Sequence, residues 1–466
     1  MTHTYNTSRR RRAGWAAGRV LPAVTGMLLA ISIEACDTKR VLEVVDPDVA
    51  KPISLDGLAA LGVVHAGAIG DFAVSYAGNT AVEGEVGYSA LLSDEYLNAE
   101  TFPTRIEIDQ RITTADNSSI VAVYRATQKA RASADFASNK LGAANANDVR
   151  RSETMSIAGF AIDMMGEDYC SGSPISQLTD AGEVVYGAPQ TTAQLWDAAI
   201  AKFDSAITIA TANGASGITQ LNLARIGKGR ALVNKGDYAG AAAVVAAVPT
   251  SFVYLVQYSL NTSRENNGVF FFNLFNKRFS ATDKEGINGL PYRSDADPRV
   301  VQTLSGVGFD GVTPLWAANA AASVWAPKGK YPVRDASVPL ATGLEARLIE
   351  AEAALKTGNT AGYLTAINAE RVAQGVAATT LPATPDAQVD QLFKERAYSL
   401  WFTAHRLGDL RRLIRQYGRN AEAVFPTGPF LHSGSVSGSY GTDVNIILPN
   451  QEKNNPNFTG CLDRTA

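Results

Sequence analysis

The stretch Leu344–Val372, LEARLIEAEAALKTGNTAGYLTAINAERV, decides the fold of this chain. Small and large apolar residues recur in it at three- and four-residue spacing, which is typical of helices with one buried face. The pattern breaks at Gly358 and Asn359, where the glycine can take a left-handed C-cap and the asparagine can cap a new helix. The stretch therefore predicts two antiparallel helices joined by a tight turn.

A second stretch, Leu221–Val248, repeats this plan and aligns with the first without a gap. Ala224 lies twelve residues before Gly236, as Ala346 lies twelve residues before Gly358. Helix hairpins of this kind build tetratricopeptide-like repeats, whose period is about 34 residues. A generic Ala-rich helix bundle shows a similar pattern and is the alternative to the repeat.

The rest of the chain extends this scaffold in both directions. Further Ala-rich helical periodicity covers Ile120–Leu141, Val149–Met165 and Thr191–Ala212, and one final amphipathic helix is predicted at Ala387–Tyr417. We therefore predict a mainly α protein with a tetratricopeptide-like helical repeat scaffold at about 117–250 and 344–417. An irregular, loop-rich insert at about 251–340 and a tail at 418–466, which follows the C-terminal helix, complete the predicted body.

The composition excludes several classes of protein. The 466 residues carry 42 Lys+Arg and 45 Asp+Glu, and basic residues cluster only at the extreme N-terminus, so nucleic acid is an unsuitable partner. Three Cys and four His exclude a disulfide-dense scaffold and a zinc ribbon. With 46% hydrophobic and 19% charged residues, the chain is neither disordered nor a membrane protein with many spans.

Residues 1–35 have the features of a lipoprotein-type signal peptide. Arg9–Arg12 form a positive region, and Val20–Ile33 is an apolar run too short for a bilayer span, which needs about 20 residues. The run ends just before Ala35-Cys36, which resembles a bacterial lipobox, so Cys36 is the predicted lipid attachment site and membrane anchor. An ordinary secretory signal with an incidental cysteine is the alternative. Cleavage removes five Arg and one Glu, which changes the formal charge from -3 to -7.

Export also gives a role to the remaining cysteines. Cys170 and Cys461 are the two left besides Cys36, and an oxidising compartment allows them to pair. The predicted disulfide would tie the tail to the middle of the chain. Two free, buried thiols are the alternative.

Several motifs in the mature chain resemble the SusD/RagB family of outer-membrane nutrient-binding lipoproteins. In chain order they are Cys36-Asp37 with Leu42–Pro47, Asp297-Pro298-Arg299, Ala346–Asn359 with Ala366–Arg371, Glu395–Ala397 with His405–Arg412, and Leu448-Pro449 with Glu452 and Asn455–Asn457. The resemblance covers essentially the whole mature chain and is strongest after residue 340.

The resemblance implies a binding protein and not an enzyme. Family members are anchored by lipid to the outer membrane, face the cell exterior and cap a TonB-dependent, SusC-like transporter. They capture oligosaccharides, or sometimes peptides, and deliver them to the transporter. For this chain we expect no cofactor and no metal. The alternative is a periplasmic helical-repeat scaffold that recruits protein partners.

The insert supplies the candidate ligand-binding residues Trp316, Trp325, Tyr292, Tyr331 and Arg293. Aromatic rings offer flat apolar faces to the C–H bonds of sugars, and a guanidinium donates to hydroxyl groups. For any single ring, packing of the insert onto the repeats is the competing interpretation. As a set, the five residues are the best-placed ligand platform in the sequence.

The polar helix motif in the last repeat is expected to be structural. Its residues are Glu395, Arg396, His405, Arg406, Asp409, Arg411 and Arg412. His405 and Asp409 are helical neighbours, but no nucleophile or second metal ligand accompanies them at a catalytic spacing. We expect Asp409 and Glu395 to form ion pairs that fix this segment to the repeats.

Other acidic residues also lack a catalytic or metal-binding pattern. Asp94 and Glu95 are adjacent on one backbone, so their side chains point apart and do not flank a glycosidic bond. Asp163, Glu167 and Asp168 lack the spacing of a calcium loop and are expected at a solvated helix end. A secreted hydrolase is therefore disfavoured.

Overall fold

The computed structural model describes residues 57–179, 183–318, 330–430 and 438–466. Fourteen α-helices lie in these residues. They are α1 (Leu61–Ala77), α2 (Gly84–Leu92), α3 (Pro103–Asp109), α4 (Ser118–Ala144), α5 (Val149–Asp168), α6 (Thr192–Ala212), α7 (Ile218–Lys235), α8 (Tyr238–Val245), α9 (Gly268–Phe270), α10 (Gly343–Lys356), α11 (Thr360–Ala373), α12 (Pro385–Ser399), α13 (Arg406–Tyr417) and α14 (Ala421–Val424). The prediction of a mainly α protein is confirmed.

The strands of the described residues are short and form antiparallel pairs. They are β1 (Tyr96–Asn98) with β5 (Phe279–Ala281), β2 (Gln177–Leu178) with β3 (Val184–Val185), β4 (Val253–Val256) with β8 (Val338–Thr342), β6 (Gln302–Val307) with β7 (Pro314–Ala318), and β9 (Pro429–Phe430) with β10 (Gly438–Ser439). Four of these ten strands, β4 to β7, lie in the 251–340 insert, and β8 begins in it and ends at Thr342.

The two helix hairpins predicted from the repeated stretches are present as α7–α8 and α10–α11. Gly236 ends α7 with φ of 84°, and Gly358 follows α10 with φ of 73°, so both glycines take the left-handed conformation. Asp237 and Asn359 then each accept a hydrogen bond from a backbone N–H three residues later, at 2.9 Å. These caps set the turn between the paired helices.

Close helix packing in the repeats depends on glycine. The ring of Phe203, on α6, is fully buried and fills the space beside Gly159 of α5 and Gly227 of α7. A Cβ atom on Gly159 would lie 2.8 Å from Cζ of Phe203, and one on Gly227 would overlap the same ring. Because the ring fills the contact between three helices, its removal is expected to cost about 3–5 kcal/mol.

Three helices, α1 to α3, precede the repeats and are not part of the predicted scaffold. Leu58–Ala77 is long and apolar enough to pass for a membrane span by composition alone. In the structure α1 buries Phe72 and Tyr76 and packs against α4. The Tyr76 hydroxyl also donates to the Pro339 carbonyl at 2.7 Å. We therefore describe α1 as a core helix.

The prediction of one continuous helix at Ala387–Tyr417 is wrong, because residues 400–405 separate α12 from α13. Phe402 has φ of 54°, a left-handed value that a helix interior does not allow. Its backbone N–H bonds to Glu95 at 3.1 Å and its carbonyl accepts from Tyr331 at 2.9 Å. Partners that are distant in sequence therefore satisfy the backbone where the helix is interrupted.

The tail returns to the end of α5. Ile446 forms an isolated β-bridge with Tyr169. Cys170, which follows Tyr169, is joined to Cys461 by a disulfide with a Cα–Cα distance of 5.8 Å. The predicted cysteine pairing is therefore present in the structure. It fixes the C-terminal segment to the repeats.

Candidate functional site

Two of the predicted ligand-binding aromatics are buried and present no ring face. Tyr292 is 0% exposed, lies 6.0 Å from the Trp401 ring and donates to Asp94 at 3.4 Å. Tyr331 is 4% exposed and bonds to the Phe402 carbonyl. Their assignment to a stacking surface is therefore corrected: they hold the turn between α12 and α13. Trp325 and the signal peptide with Cys36 lie outside the described residues.

Trp316 and Arg293 do come together at the surface. The Arg293 guanidinium carbon lies 3.9 Å from the centre of the half-buried Trp316 ring, and the arginine side chain is 33% exposed. Arg293 Nη1 also donates to Gln302 Oε1 at 2.9 Å. Leu304, on β6, is paired with Trp316 on β7 and is 54% exposed. We call Arg293, Gln302, Leu304 and Trp316 the hairpin surface.

Hydrogen bonds hold the stacked pair in place. The backbone N–H of Trp316 donates to Ser280 Oγ at 2.8 Å, and the backbone carbonyl of Trp316 accepts from Asn273 Nδ2 at 3.1 Å. On the other side, the Arg293 backbone N–H donates to Asp283 at 2.9 Å, and its guanidinium lies 3.6 Å from the same carboxylate. The arginine charge is therefore balanced locally, and the surface is polar without a net charge.

The polar helix motif forms buried ion pairs. Asp409 is 2% exposed and accepts from Arg396 at 2.8 Å and from Arg412 at 2.7 Å, while Arg412 also pairs with Glu352 of α10. Burial alone would raise the pKa of Asp409, but the guanidinium groups of Arg396 and Arg412 outweigh it and lower the pKa to about 2. Asp409 therefore connects α12, α13 and, through Arg412, the repeats.

The other motif residues make equally buried contacts with distant elements. Glu395 accepts from Arg299 of the Asp297-Pro298-Arg299 tripeptide at 2.6 Å. The remaining contacts run from Arg406 to Asp94, from His405 to Glu345 at 3.2 Å, and from Arg411 to the carbonyls of Gly166 and Tyr169 at 3.1 Å. This geometry agrees with a structural role for the motif.

The prediction that Asp163, Glu167 and Asp168 lie at a solvated helix end is wrong. All three are buried, and Asn234 donates to Glu167 at 2.8 Å and to Asp163 at 3.3 Å. Desolvation raises the pKa of Asp163 and of Asp168 well above the usual range, and it raises the pKa of the nearby Glu85 to about 7. Among the described residues, no group of His, Cys, Asp and Glu has the geometry to hold a metal ion.

Sequence reasoning missed the apolar tip of the β6–β7 hairpin. Val307, Phe309 and Val312 are 48%, 62% and 59% exposed, although the Phe309 N–H is fixed to the Lys277 carbonyl at 2.8 Å. A rigid turn that exposes three large apolar side chains is a candidate contact surface. The signal in the sequence was the alternation of these residues with glycine in VGFDGV.

No protein-family model and no curated protein matches the chain. A SusD superfamily protein from Bacteroides thetaiotaomicron superposes with a TM-score of 0.63 at 14% identity, covering 88% of this chain and 100% of the other. The chain has the SusD fold. A second SusD superfamily protein, from Bacteroides fragilis, gives a TM-score of 0.63 at 13% identity over 86% of this chain and 98% of the other.

A further solved structure with this fold is a SusD-like carbohydrate-binding protein from Bacteroides vulgatus. It has a TM-score of 0.58 and 12% identity, and covers 86% of this chain and 97% of that one. The resemblance to the SusD/RagB family seen in the sequence motifs is thus confirmed at the level of the fold. It extends over nearly the full length of these solved structures.

Proposed function

We propose that this protein is a non-catalytic, SusD-type binding protein that takes an oligosaccharide at the hairpin surface. The observation that carries the proposal is the stack of Arg293 on Trp316 at the surface. The fold supports it, because a solved structure of this fold is a SusD-like carbohydrate-binding protein.

The chemistry of the hairpin surface suits a sugar. The Trp316 ring packs against the core and the guanidinium covers its centre, so a pyranose would rest on the exposed guanidinium and on the open part of the indole. Gln302 and the N–H groups of Arg293 would meet the hydroxyl groups. Leu304 would add apolar contact beside them.

The cellular setting completes the proposal. The signal-like N-terminus and Cys36 support a lipid-anchored protein of the outer membrane that faces the cell exterior. In that position it would pass its ligand to a TonB-dependent, SusC-like transporter. A peptide nutrient is the other ligand class to test.

Isothermal titration calorimetry with a panel of oligosaccharides tests this function. Trp316→Ala should weaken binding of the best ligand about tenfold or more, because it removes the support of Arg293, while Trp316→Phe should retain part of the affinity. Tyr186→Ala is a matched control, since Tyr186 is a 46% exposed aromatic beside β3. Equal affinity of wild type and Trp316→Ala would reject the hairpin surface as the site.

The second candidate function, recruitment of protein partners by a periplasmic scaffold, is favoured by the exposed apolar tip. Phe309→Ser would then abolish co-purification of a partner with the chain and leave sugar titrations unchanged. An unchanged set of co-purified proteins would remove this alternative.

A further inference from the structure

A cavity of about 320 Å³ lies between α12, α13, α14 and the loop that follows β5. Its volume falls at the lower end of the range typical of small-molecule sites. Buried apolar side chains form its floor, namely Phe393 of α12 and Leu410 and Leu413 of α13. Of the polar helix motif, Arg406 lines this cavity, and no residue of the hairpin surface does.

The edge of this cavity is polar and its charges are already balanced. Arg419 Nη2 lies 3.1 Å from Asp390 Oδ1 and 3.3 Å from Asp386 Oδ1, while Lys394 pairs with Asp295. Because Arg419 and Lys394 are both paired with carboxylates, the edge offers little attraction to an anion. Among the described residues, the side-chain hydrogen bonds of Arg419 use Nη2, so its Nε and Nη1 groups can donate to a ligand.

One loop connects the cavity to the hairpin surface. Leu290 lines the cavity, and Arg293, which stacks on Trp316, lies three residues later, within at most ~11 Å along the chain. The Leu290 N–H donates to Asp94 at 2.8 Å, and Arg406 holds the same carboxylate at 2.8 Å through Nη2. The two places are therefore close along the loop, and Asp94 fixes the loop at its Leu290 end.

We propose that this cavity is a second carbohydrate subsite, which takes one or two neutral sugar rings of an oligosaccharide whose other rings contact the hairpin surface. The apolar floor suits the C–H face of a pyranose, and the edge supplies paired donors and acceptors for hydroxyl groups. The inference rests on the proposed function and extends it to the length and charge of the ligand.

The test compares cavity variants in calorimetric titrations of the full chain in detergent. Ala423→Trp places a large ring at an exposed position that lines the cavity, and Arg419→Met removes the donors but keeps an apolar stem. Ala361→Trp, at an exposed site on α11, is the matched control. The probes are maltoheptaose, cellohexaose, xylohexaose and mannohexaose, their disaccharides, and trigalacturonic acid.

Both cavity variants should weaken the best long neutral probe about tenfold, and Ala361→Trp should bind it like wild type. If wild type binds none of the probes, the proposed function and this subsite fall together. If Trp316→Ala loses the long probe but Ala423→Trp and Arg419→Met keep it, only the subsite is refuted. Tighter binding of trigalacturonic acid that both cavity variants abolish would overturn the assignment to neutral sugars.

Discussion

Asp409→Asn is the sharpest test of the buried ion pairs that hold the last repeat together. The substitution keeps the size of the side chain and removes its charge. Arg396, 4% exposed, then has no carboxylate among its described contacts, whereas Arg412 keeps Glu352. One buried guanidinium is thus left without its counter-charge.

The expected loss follows from this asymmetry. Removing one partner of a buried ion pair costs about 3–5 kcal/mol, because the remaining charge stays desolvated. Such a loss is a large part of the stability of a typical domain, about 5–15 kcal/mol. Since the folded pKa of Asp409 is lowered to about 2 from 3.8, the wild-type advantage is complete above pH 4 and is lost as the pH falls towards 2.

Urea unfolding of the oxidised protein, followed by tryptophan fluorescence, measures this loss. Asp204→Asn is the control, because Asp204 forms an ion pair with Lys228 at 2.5 Å but is 52% exposed, so its loss should stay below about 1 kcal/mol. Oligosaccharide affinity of folded Asp409→Asn should equal that of wild type. A penalty no larger than that of Asp204→Asn, or one that does not shrink between pH 4 and pH 2, would show that the ion pair does not stabilise the fold.

Three further predictions concern the anchor, the tail and the buried acids. Cys36→Ser should move the protein from the membrane to the soluble fraction. Lipidation would be contradicted if the mutant stays membrane-bound and mass spectrometry finds no acyl chain on the wild-type protein. The double substitution Cys170→Ser with Cys461→Ser removes the disulfide and should lower the free energy of unfolding by up to about 5 kcal/mol, because the bond closes a loop of 291 residues. Two alkylatable thiols in the native exported protein would disprove the bond. The raised pKa of Glu85, about 7 against 4.5, means that its contribution to stability is full below pH 4.5 and is lost as the pH rises to 7. In urea unfolding, Glu85→Gln should reduce the fall in the free energy of unfolding between pH 4.5 and pH 7. An unchanged pH dependence in this variant would show that Glu85 does not cause that fall.

The repeats were predictable because their determinants are local. The glycine and the capping residue at Gly236-Asp237 and Gly358-Asn359 stand next to each other in sequence, and helical periodicity marks the buried face on either side. Such signals need no knowledge of distant residues.

The insert and the interrupted helix were not predictable in the same way. Phe402 leaves the helical conformation because Glu95 and Tyr331 satisfy its backbone, and these partners are 307 and 71 residues away. The same contact removes Tyr331 from the surface. Aromatic residues in a loop look alike in sequence, whether they are exposed like Phe309 or buried like Tyr292.

The burial of Asp163, Glu167 and Asp168 was not predictable from the sequence for a related reason. A run such as Glu167-Asp168 at a helix end is normally solvated. Here Asn234 of α7 donates to Glu167, α13 contacts α5, and the Ile446 N–H of the tail donates to the Asp168 carbonyl. The sequence shows the charges of these residues but not what covers them.

A crystal structure of the full chain with its best-binding oligosaccharide tests the central claim most directly. The account predicts a sugar ring against Arg293 and Trp316, with hydroxyl groups bonded to Gln302. Ligand density at a place remote from the β6–β7 hairpin would contradict it, as would the failure of every oligosaccharide in the panel to bind.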